Sequence, residues 1–323
     1  CFGRLTPASV GKDSTTGHWE LMGCAVERPF ATYPDGFPEE IVSAFESAAG
    51  VRVLGNTAAS GTQIIAELGG RHLQSRRPIL YTSQDSVFQI AAHKDIVPLE
   101  DLFAFCRTAR LILNDYNVAR VIARPFEGEV GGFYRTSERR DFSMVAPGKT
   151  VLDGLETAGE KVLTIGKIDD LFSGRGITRA VHTRDNREGM KATLDALQEE
   201  NWSFVFTNLV DFDTMWGHRN DARAYALGLE EFDSYLVDLM KTLDEGSLLI
   251  ITSDHGNDPT TASTGHSREY VPLIAYCSGM TRGTNLGTRR TLSDVGRTIV
   301  DNFEIGGSFP GESFLQAVDG ARG

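Results

Sequence analysis

The chain has 323 residues, 24% of them charged, and a formal net charge of −12. That length exceeds one compact core and fits a large domain with an insertion, or two domains. The acidic balance, without any Lys/Arg cluster, argues against nucleic acid or an anionic membrane surface as a partner, and no apolar run approaches the ~20 residues that span a bilayer.

The first segment with chemical content is Gly11-Lys12-Asp13-Ser14-Thr15-Thr16-Gly17-His18-Trp19-Glu20, followed by the apolar Leu21 and Met22. It reads as a turn feeding a helix. A hydroxyl at such a helix start, beside a metal, can act as a nucleophile while backbone N–H groups hold phosphate oxygens. The same residues also suit a Ser/Thr-rich N-cap with no chemistry. The role of His18 stays open.

From about Glu27 to Ser143 the pattern is that of a small α+β unit. Pro38-Glu39-Glu40 opens a helix with Pro and acids in its first turn. Val51–Leu54, Ile79–Thr82 and Ala119–Ala123 read as short strands, and Pro98–Leu113 as a helix. Arg120, Arg124, Arg135, Arg139, Arg140 and Lys167 suit bidentate or point-charge contacts to phosphate, or equally a solvated surface.

Beyond this unit, strand and helix signals alternate. Lys161–Gly166, Ser203–Leu209, Leu248–Thr252 and Val271–Cys277 read as strands; Asn186–Glu200, Ala222–Leu243 and Leu292–Phe303 read as helices. Leu227, Leu229, Phe232, Leu236 and Leu239 give the long helix one broad apolar face. The alternation predicts an α/β fold with a mainly parallel sheet covered by helices on both faces, its sites beyond the carboxyl ends of strands. Two ligand-type groups fall there. Asp213 and His218 follow one strand, and Asp254 and His255 follow another, with His266 just downstream. This mixture of carboxylates and imidazoles can hold up to two divalent metals, and it suits Zn, Mn or Fe better than Mg or Ca. All five lie outside the α+β unit, so residues 27–143 are expected to form an inserted cap and residues 1–26 with 144–323 the metal-binding core.

Cys1, Cys24, Cys106 and Cys277 form no C-x-x-C pair, which points to a reducing, cytoplasmic setting. No signal peptide is visible. The start at Cys1 instead of Met suggests that the natural N-terminus lies further upstream.

Taken together, the segment 11–20, Ala59-Ser60-Gly61-Thr62, Tyr81-Thr82-Ser83-Gln84-Asp85-Ser86-Val87, Arg120-Val121-Ile122-Ala123-Arg124-Pro125-Phe126, Asn208–Asp213, Asp254–Pro259 and His266–Leu273 resemble the phosphopentomutase family of the alkaline phosphatase superfamily. The resemblance implies an alkaline-phosphatase-like core with an inserted cap, and interconversion of α-ribose 1-phosphate (or its 2-deoxy form) and the 5-phosphate. It implies two Mn2+ ions, one held by Asp213, His218 and His266, the other by Asp254 and His255. Ser14 stands where the family has a phosphorylated threonine. Ser83, Asp85, Val87, Arg120 and Ile122 match positions lining the pentose phosphate pocket, and Lys167 matches a position near the substrate phosphate. A bisphosphorylated sugar would prime the enzyme. The family's opening strand, with an Asp for the second metal, precedes the first residue of this chain, so one metal site lacks that ligand, and an exposed sheet edge or a gap in the sheet is expected. The competing expectations are a metal-dependent phosphatase or another phosphosugar mutase on the same core, and an inactive sugar-phosphate-binding fragment.

Overall fold

A computed structural model describes residues 1–83, 86–199 and 201–320. The chain opens with β1 (Phe2–Leu5) and α1 (Ser14–Leu21), then α2 (Glu39–Ala49), β2 (Leu54–Ala58), α3 (Gly61–Ser75), β3 (Ile79–Thr82), β4 (Val87–His93) and α4 (Leu99–Leu113). It continues through β5 (Arg120–Glu127), β6 (Tyr134–Arg135), β7 (Arg140–Ser143), α5 (Val151–Ala158), β8 (Val162–Ile165), α6 (Ile168–Phe172), β9 (Arg179–Val181) and α7 (Asn186–Leu197). It ends with β10 (Phe204–Thr207), α8 (Ala222–Thr242), β11 (Leu248–Thr252), β12 (Val271–Cys277), β13 (Asn285–Arg289), α9 (Ser293–Asn302) and α10 (Leu315–Asp319). Among the described residues no helix is long and apolar enough to cross a membrane.

Contacts divide the chain into two compact units, Cys1–Pro29 with Ala146–Gly323, and Phe30–Val145. In the Phe30–Val145 unit a six-stranded sheet runs β2-β3-β4-β5-β6, with β7 also pairing β5. Alternation along β4 and β5 sends Phe88, Ile90, Val121 and Ala123 into one apolar cluster with Ile41 and Phe45 of α2 and Leu102 and Cys106 of α4. Tyr81, Ala91 and Phe126 join a second cluster with Ile64 and Ile65 of α3.

The other unit is a mixed α/β assembly, so the expected strand–helix alternation is present, with antiparallel pairs added. Strands β10, β8 and β9 pair in parallel. A second sheet runs β11-β12-β1-β13, in which β12 is antiparallel to both β11 and β1. Among the described residues β10 and β11 each stand at the end of their sheet, and both line one cleft of about 1020 Å³. Of the expected apolar face of α8, Leu229, Phe232 and Leu239 open onto this cleft together with Tyr235, Leu227 is exposed, and Gly228 is the helix's one buried residue. Helix pattern and burial part company here because the layer that would cover the face is the cleft itself.

Candidate metal centre

The site begins with α1. Asp13 caps the helix, its carboxylate accepting from the Thr16 N–H at 3.1 Å and from the Thr16 hydroxyl at 3.0 Å. Ser14 is then the first helical residue. One turn on, Gly17 packs against the 254 loop so closely that an added Cβ would stand 2.0 Å from the Asp254 carbonyl oxygen. Only glycine allows that approach, which brings Ser14 Oγ to 3.3 Å from His255 Nε2.

Asp254 and His255 leave the carboxyl end of β11, and Asp213 follows β10. Asp213 lies in a single π-turn, Phe212–Trp216, a distortion often found at functional sites. Phe212 and Trp216 hold the turn by an edge-to-face ring contact at 5.1 Å, with Tyr225 of α8 edge-on to Phe212 at 5.2 Å.

The tautomers of the imidazoles follow from their partners. His218 Nδ1 donates to the Thr264 carbonyl at 2.7 Å, His266 Nδ1 to the Lys12 carbonyl at 2.7 Å, and His255 Nδ1 to the Gly256 carbonyl at 3.1 Å. A carbonyl can only accept, so each Nδ1 bears the proton; each Nε2 then offers a lone pair in the neutral ring, or shares a proton with the facing carboxylate in the charged one. Those lone pairs converge on carboxylates. His266 Nε2 is 3.1 Å from Asp213 Oδ1, His218 Nε2 is 3.3 Å from Asp213 Oδ2, and His255 Nε2 is 3.4 Å from Asp254 Oδ2. His266 Nε2 is buried and makes no well-formed hydrogen bond despite its neighbour. Lone pair facing lone pair is repulsive unless a cation lies between, and backbone-anchored imidazoles are the usual support for a bound metal. The donor set therefore fits a divalent metal. Asp213, His255 and His266 offer ligand atoms all within 4.8 Å of one another, with His218 stacked on His266 at 4.8 Å.

Burial would raise the Asp254 carboxyl, but His18 and His255 hold it far below the ordinary carboxylate value. Burial likewise opposes ionisation of Asp213, and His266, His255 and His218 outweigh it. Two supports escaped the sequence reading. Asn257 donates Nδ2 to Asp213 Oδ1 at 2.7 Å, and its amide lies where a Cβ on Gly217 would fall, 2.1 Å from Nδ2. His18 Nδ1 donates to the Ser14 carbonyl at 2.8 Å and lies 3.1 Å from Asp254 Oδ2, so this ring braces the centre and turns no lone pair toward it. The signal for Asn257 was its place in the Asp-His-Gly-Asn-Asp run; nothing local in the sequence marked Gly217.

Lys167 lines the cleft with Ser14, Asp213, Asp254 and His255. Ser83, Val87, Arg120 and Ile122 lie in the Phe30–Val145 unit, with Val87 beside Arg120 in the β4–β5 pairing. Arg120 is 3.7 Å from Asp141. Asp85 lies outside the described residues.

The metalloenzyme superfamily profile matches residues 13–306. A phosphopentomutase of Caldanaerobacter subterraneus subsp. tengcongensis is 54% identical over 316 residues, covering 98% of this chain and 80% of that protein. The chain belongs to the phosphopentomutase family. The phosphopentomutase of Clostridium novyi is 51% identical over 319 residues, covering 98% of this chain and 82% of that protein. The solved PH0037 protein from Pyrococcus horikoshii shares the fold, with a TM-score of 0.51 at 16% identity over 96% of this chain and 88% of that one. Membership in the phosphopentomutase family makes this chain a metal-dependent isomerase with a small sugar phosphate as substrate.

Proposed function

We propose that this phosphopentomutase interconverts α-ribose 1-phosphate, or its 2-deoxy form, and the 5-phosphate through a phosphorylated Ser14. The observation that carries the proposal is Ser14 Oγ at the start of α1, 3.3 Å from His255 Nε2. With Nδ1 protonated, the His255 Nε2 lone pair and Ser14 Oγ face one another, as two ligands of one cation would. Ser14 opens α1, and a helix N-terminus there suits a phosphoryl group.

Asp213, His218 and His266 would hold one Mn2+, and Asp254 and His255, with the Ser14 oxygen, a second. Such metals supply charge neutralisation for the phosphoryl group and favour an ionised serine. Phospho-Ser14 donates its phosphoryl group to the free hydroxyl of the pentose phosphate, giving a 1,5-bisphosphate and leaving the serine oxygen free. The bisphosphate turns over and returns its other phosphoryl group to Ser14. A bisphosphorylated sugar primes the first cycle. Asp254, braced by His18, stays ionised beside the serine. Lys167 binds the substrate phosphate. The Phe30–Val145 unit serves as a cap, with Ser83, Asp85, Val87, Arg120 and Ile122 on the pentose. Its purpose is to keep water from phospho-Ser14, since hydrolysis is the competing reaction. Cysteines that form no C-x-x-C pair suit a cytoplasmic enzyme, and the net charge of −12 suits one without a nucleic-acid partner.

The test is incubation with Mn2+, ribose 5-phosphate and a bisphosphorylated sugar. Phosphopeptide mapping should place one phosphate on Ser14, and Ser14→Ala should lose it while folding normally. Phosphate retained in that variant would move the nucleophile to Thr15 or Thr16. Free phosphate released faster than ribose 1-phosphate is formed would favour the phosphatase reading.

A further inference from the structure

Helix α8 meets the metal centre through a contact that the proposed reaction does not use. Gly228, in the second turn of the helix, is its one buried residue, and the half-buried Trp216 indole lies against it. A Cβ on Gly228 would stand 2.2 Å from Trp216 Cζ3, 2.4 Å from Cη2 and 3.1 Å from Cε3. Carbon atoms in contact stand about 3.5–4.0 Å apart, so a methyl here would drive the ring away by about 1 Å or more. Glycine is the least favourable residue inside a helix after proline, and the close approach of the indole is what requires it.

Trp216 closes the π-turn Phe212–Trp216 and stands in the sequence between two ligand-type residues, Asp213 and His218. Backbone bonds make this stretch one stiff piece. The Thr214 N–H donates to the Val210 carbonyl at 3.0 Å, the Gly217 N–H to the Asp213 and Phe212 carbonyls, and the Asp221 N–H to the Trp216 carbonyl at 3.0 Å. Asp221 then caps α8 by accepting from the Ala224 N–H at 2.9 Å. Tyr225, one turn before Gly228, walls the indole from the side, edge-on at 6.5 Å between centroids. A ring seated in this way fixes the turn that carries Asp213 and leads into His218. Asp213 Oδ2 and His218 Nε2 stand 3.3 Å apart. Ligand distances in a metal site hold within about 0.2 Å, so a displacement of the indole on the scale above would spoil the pair.

We propose that the Trp216 indole, seated on Gly228, is a positioning residue that sets Asp213 and His218 for one divalent metal. It acts through the ligands and touches neither metal nor substrate. The inference rests on the proposed assignment of Asp213, His218 and His266 to one metal. It makes α8 a buttress of that site as well as a wall of the cleft.

The test titrates Mn2+ into the chelated full chain and reads free Mn2+ by electron paramagnetic resonance. The proteins are wild type, Asp213→Ala, Gly228→Ala, Trp216→Phe, the double variant Gly228→Ala with Trp216→Phe, and as a control Gly70→Ala on α3, where a Cβ would meet nothing nearer than Val130 Cγ2 at 3.6 Å. We expect Gly228→Ala to weaken the site that Asp213→Ala abolishes by about tenfold or more, the scale for a residue that orients a ligand, with Gly70→Ala unchanged. Trp216→Phe should weaken the same site several-fold. A phenyl ring is shorter than an indole, so the double variant has room for the methyl and should bind Mn2+ more tightly than Gly228→Ala, a recovery that general destabilisation would not give. Wild-type affinity in either single variant, equal weakening in Gly70→Ala, or a double variant no tighter than Gly228→Ala overturns the inference. If Gly228→Ala does not fold, the double variant is compared with Trp216→Phe: equal or tighter binding supports the seat, and weaker binding overturns it. If Asp213→Ala keeps its full Mn2+ content, the ligand assignment fails and the inference falls with it. If Asp213→Ala loses a metal and Gly228→Ala binds as wild type does, the inference alone fails.

Discussion

At the scale of single residues, the centre depends on side chains that point others. Each ligand-type imidazole is turned by a backbone carbonyl, and Asp213 is turned by Asn257. Asn257→Ala removes a hydrogen bond to a carboxylate and should lower metal affinity about ten- to a hundredfold, read by titrating Mn2+ into the chelated chain. Gly217→Ala should act in the same direction, since its methyl would displace the Asn257 amide; unchanged affinity in both would remove Asn257 from the support of the site. Arg120→Ala should raise the KM for ribose 5-phosphate by the equivalent of about 1.5–3 kcal/mol, the loss of a charged hydrogen bond, with metal content unchanged. A fall in metal content instead would argue against a substrate role for Arg120.

At the scale of elements, two buried polar hubs hold the machinery. Glu20, fully buried on α1, accepts from the Ala8 and Ser9 N–H groups, the Leu292 N–H and the Thr291 hydroxyl, at 2.7 to 2.9 Å. It joins the loop before the nucleophile to the start of α9. Arg268 clamps that loop from outside by donating to the carbonyls of Pro7, Ser9, Val10 and Gly11. Glu20→Ala leaves several donors unsatisfied and should cost about 3 kcal/mol or more, since each bond to a charged acceptor contributes roughly 1.5–3 kcal/mol; urea unfolding measures it.

In the Phe30–Val145 unit the hub is His72. Its Nδ1 donates to the Arg77 carbonyl at 2.7 Å and its Nε2 accepts from the His93 N–H at 2.9 Å. Both nitrogens are therefore committed to the neutral ring. Burial first, then the neighbouring His93 and Arg76, lower its pKa from the ordinary 6.5. Below 6.5 the unfolded chain takes up a proton that the folded chain refuses. This contribution is complete above pH 6.5 and is lost as pH falls toward the lowered folded value, at no more than about 1.4 kcal/mol per pH unit. Urea melts on either side of pH 6.5 should show that slope, and His72→Gln should flatten it.

At the scale of the whole molecule, the ligand-type residues Asp213, His218, Asp254, His255 and His266 all fall in one of the two compact units. Chelation should therefore lower only the melting transition of the Cys1–Pro29 with Ala146–Gly323 unit. The loss is about 2.7 kcal/mol if the metal was present at a hundred times its dissociation constant. Differential scanning calorimetry with and without chelator reads it, and an equal shift of both units would contradict the assignment.

Much of this arrangement was legible in the sequence, because strands and helices with one dominant period announce themselves. Ile79–Thr82, Leu248–Thr252 and Val271–Cys277 were placed to the residue. The strand read at Val51–Leu54 instead runs Leu54–Ala58, where Gly55 and Asn56 adopt positive φ and break the alternation. Strand β4 was passed over although all seven of its residues are buried, because a short apolar run has no period to read. The ligand types Asp213, His218, Asp254, His255 and His266 were determined by the sequence, since metal chemistry selects donor atoms and local runs place them at strand ends. Which way His218 and His266 turn, and the glycine contact that brings α1 onto the 254 loop, were decided only by tertiary structure. The carbonyls that orient these two rings lie 46 and 254 positions away in the chain, and no local pattern encodes contacts at such separations.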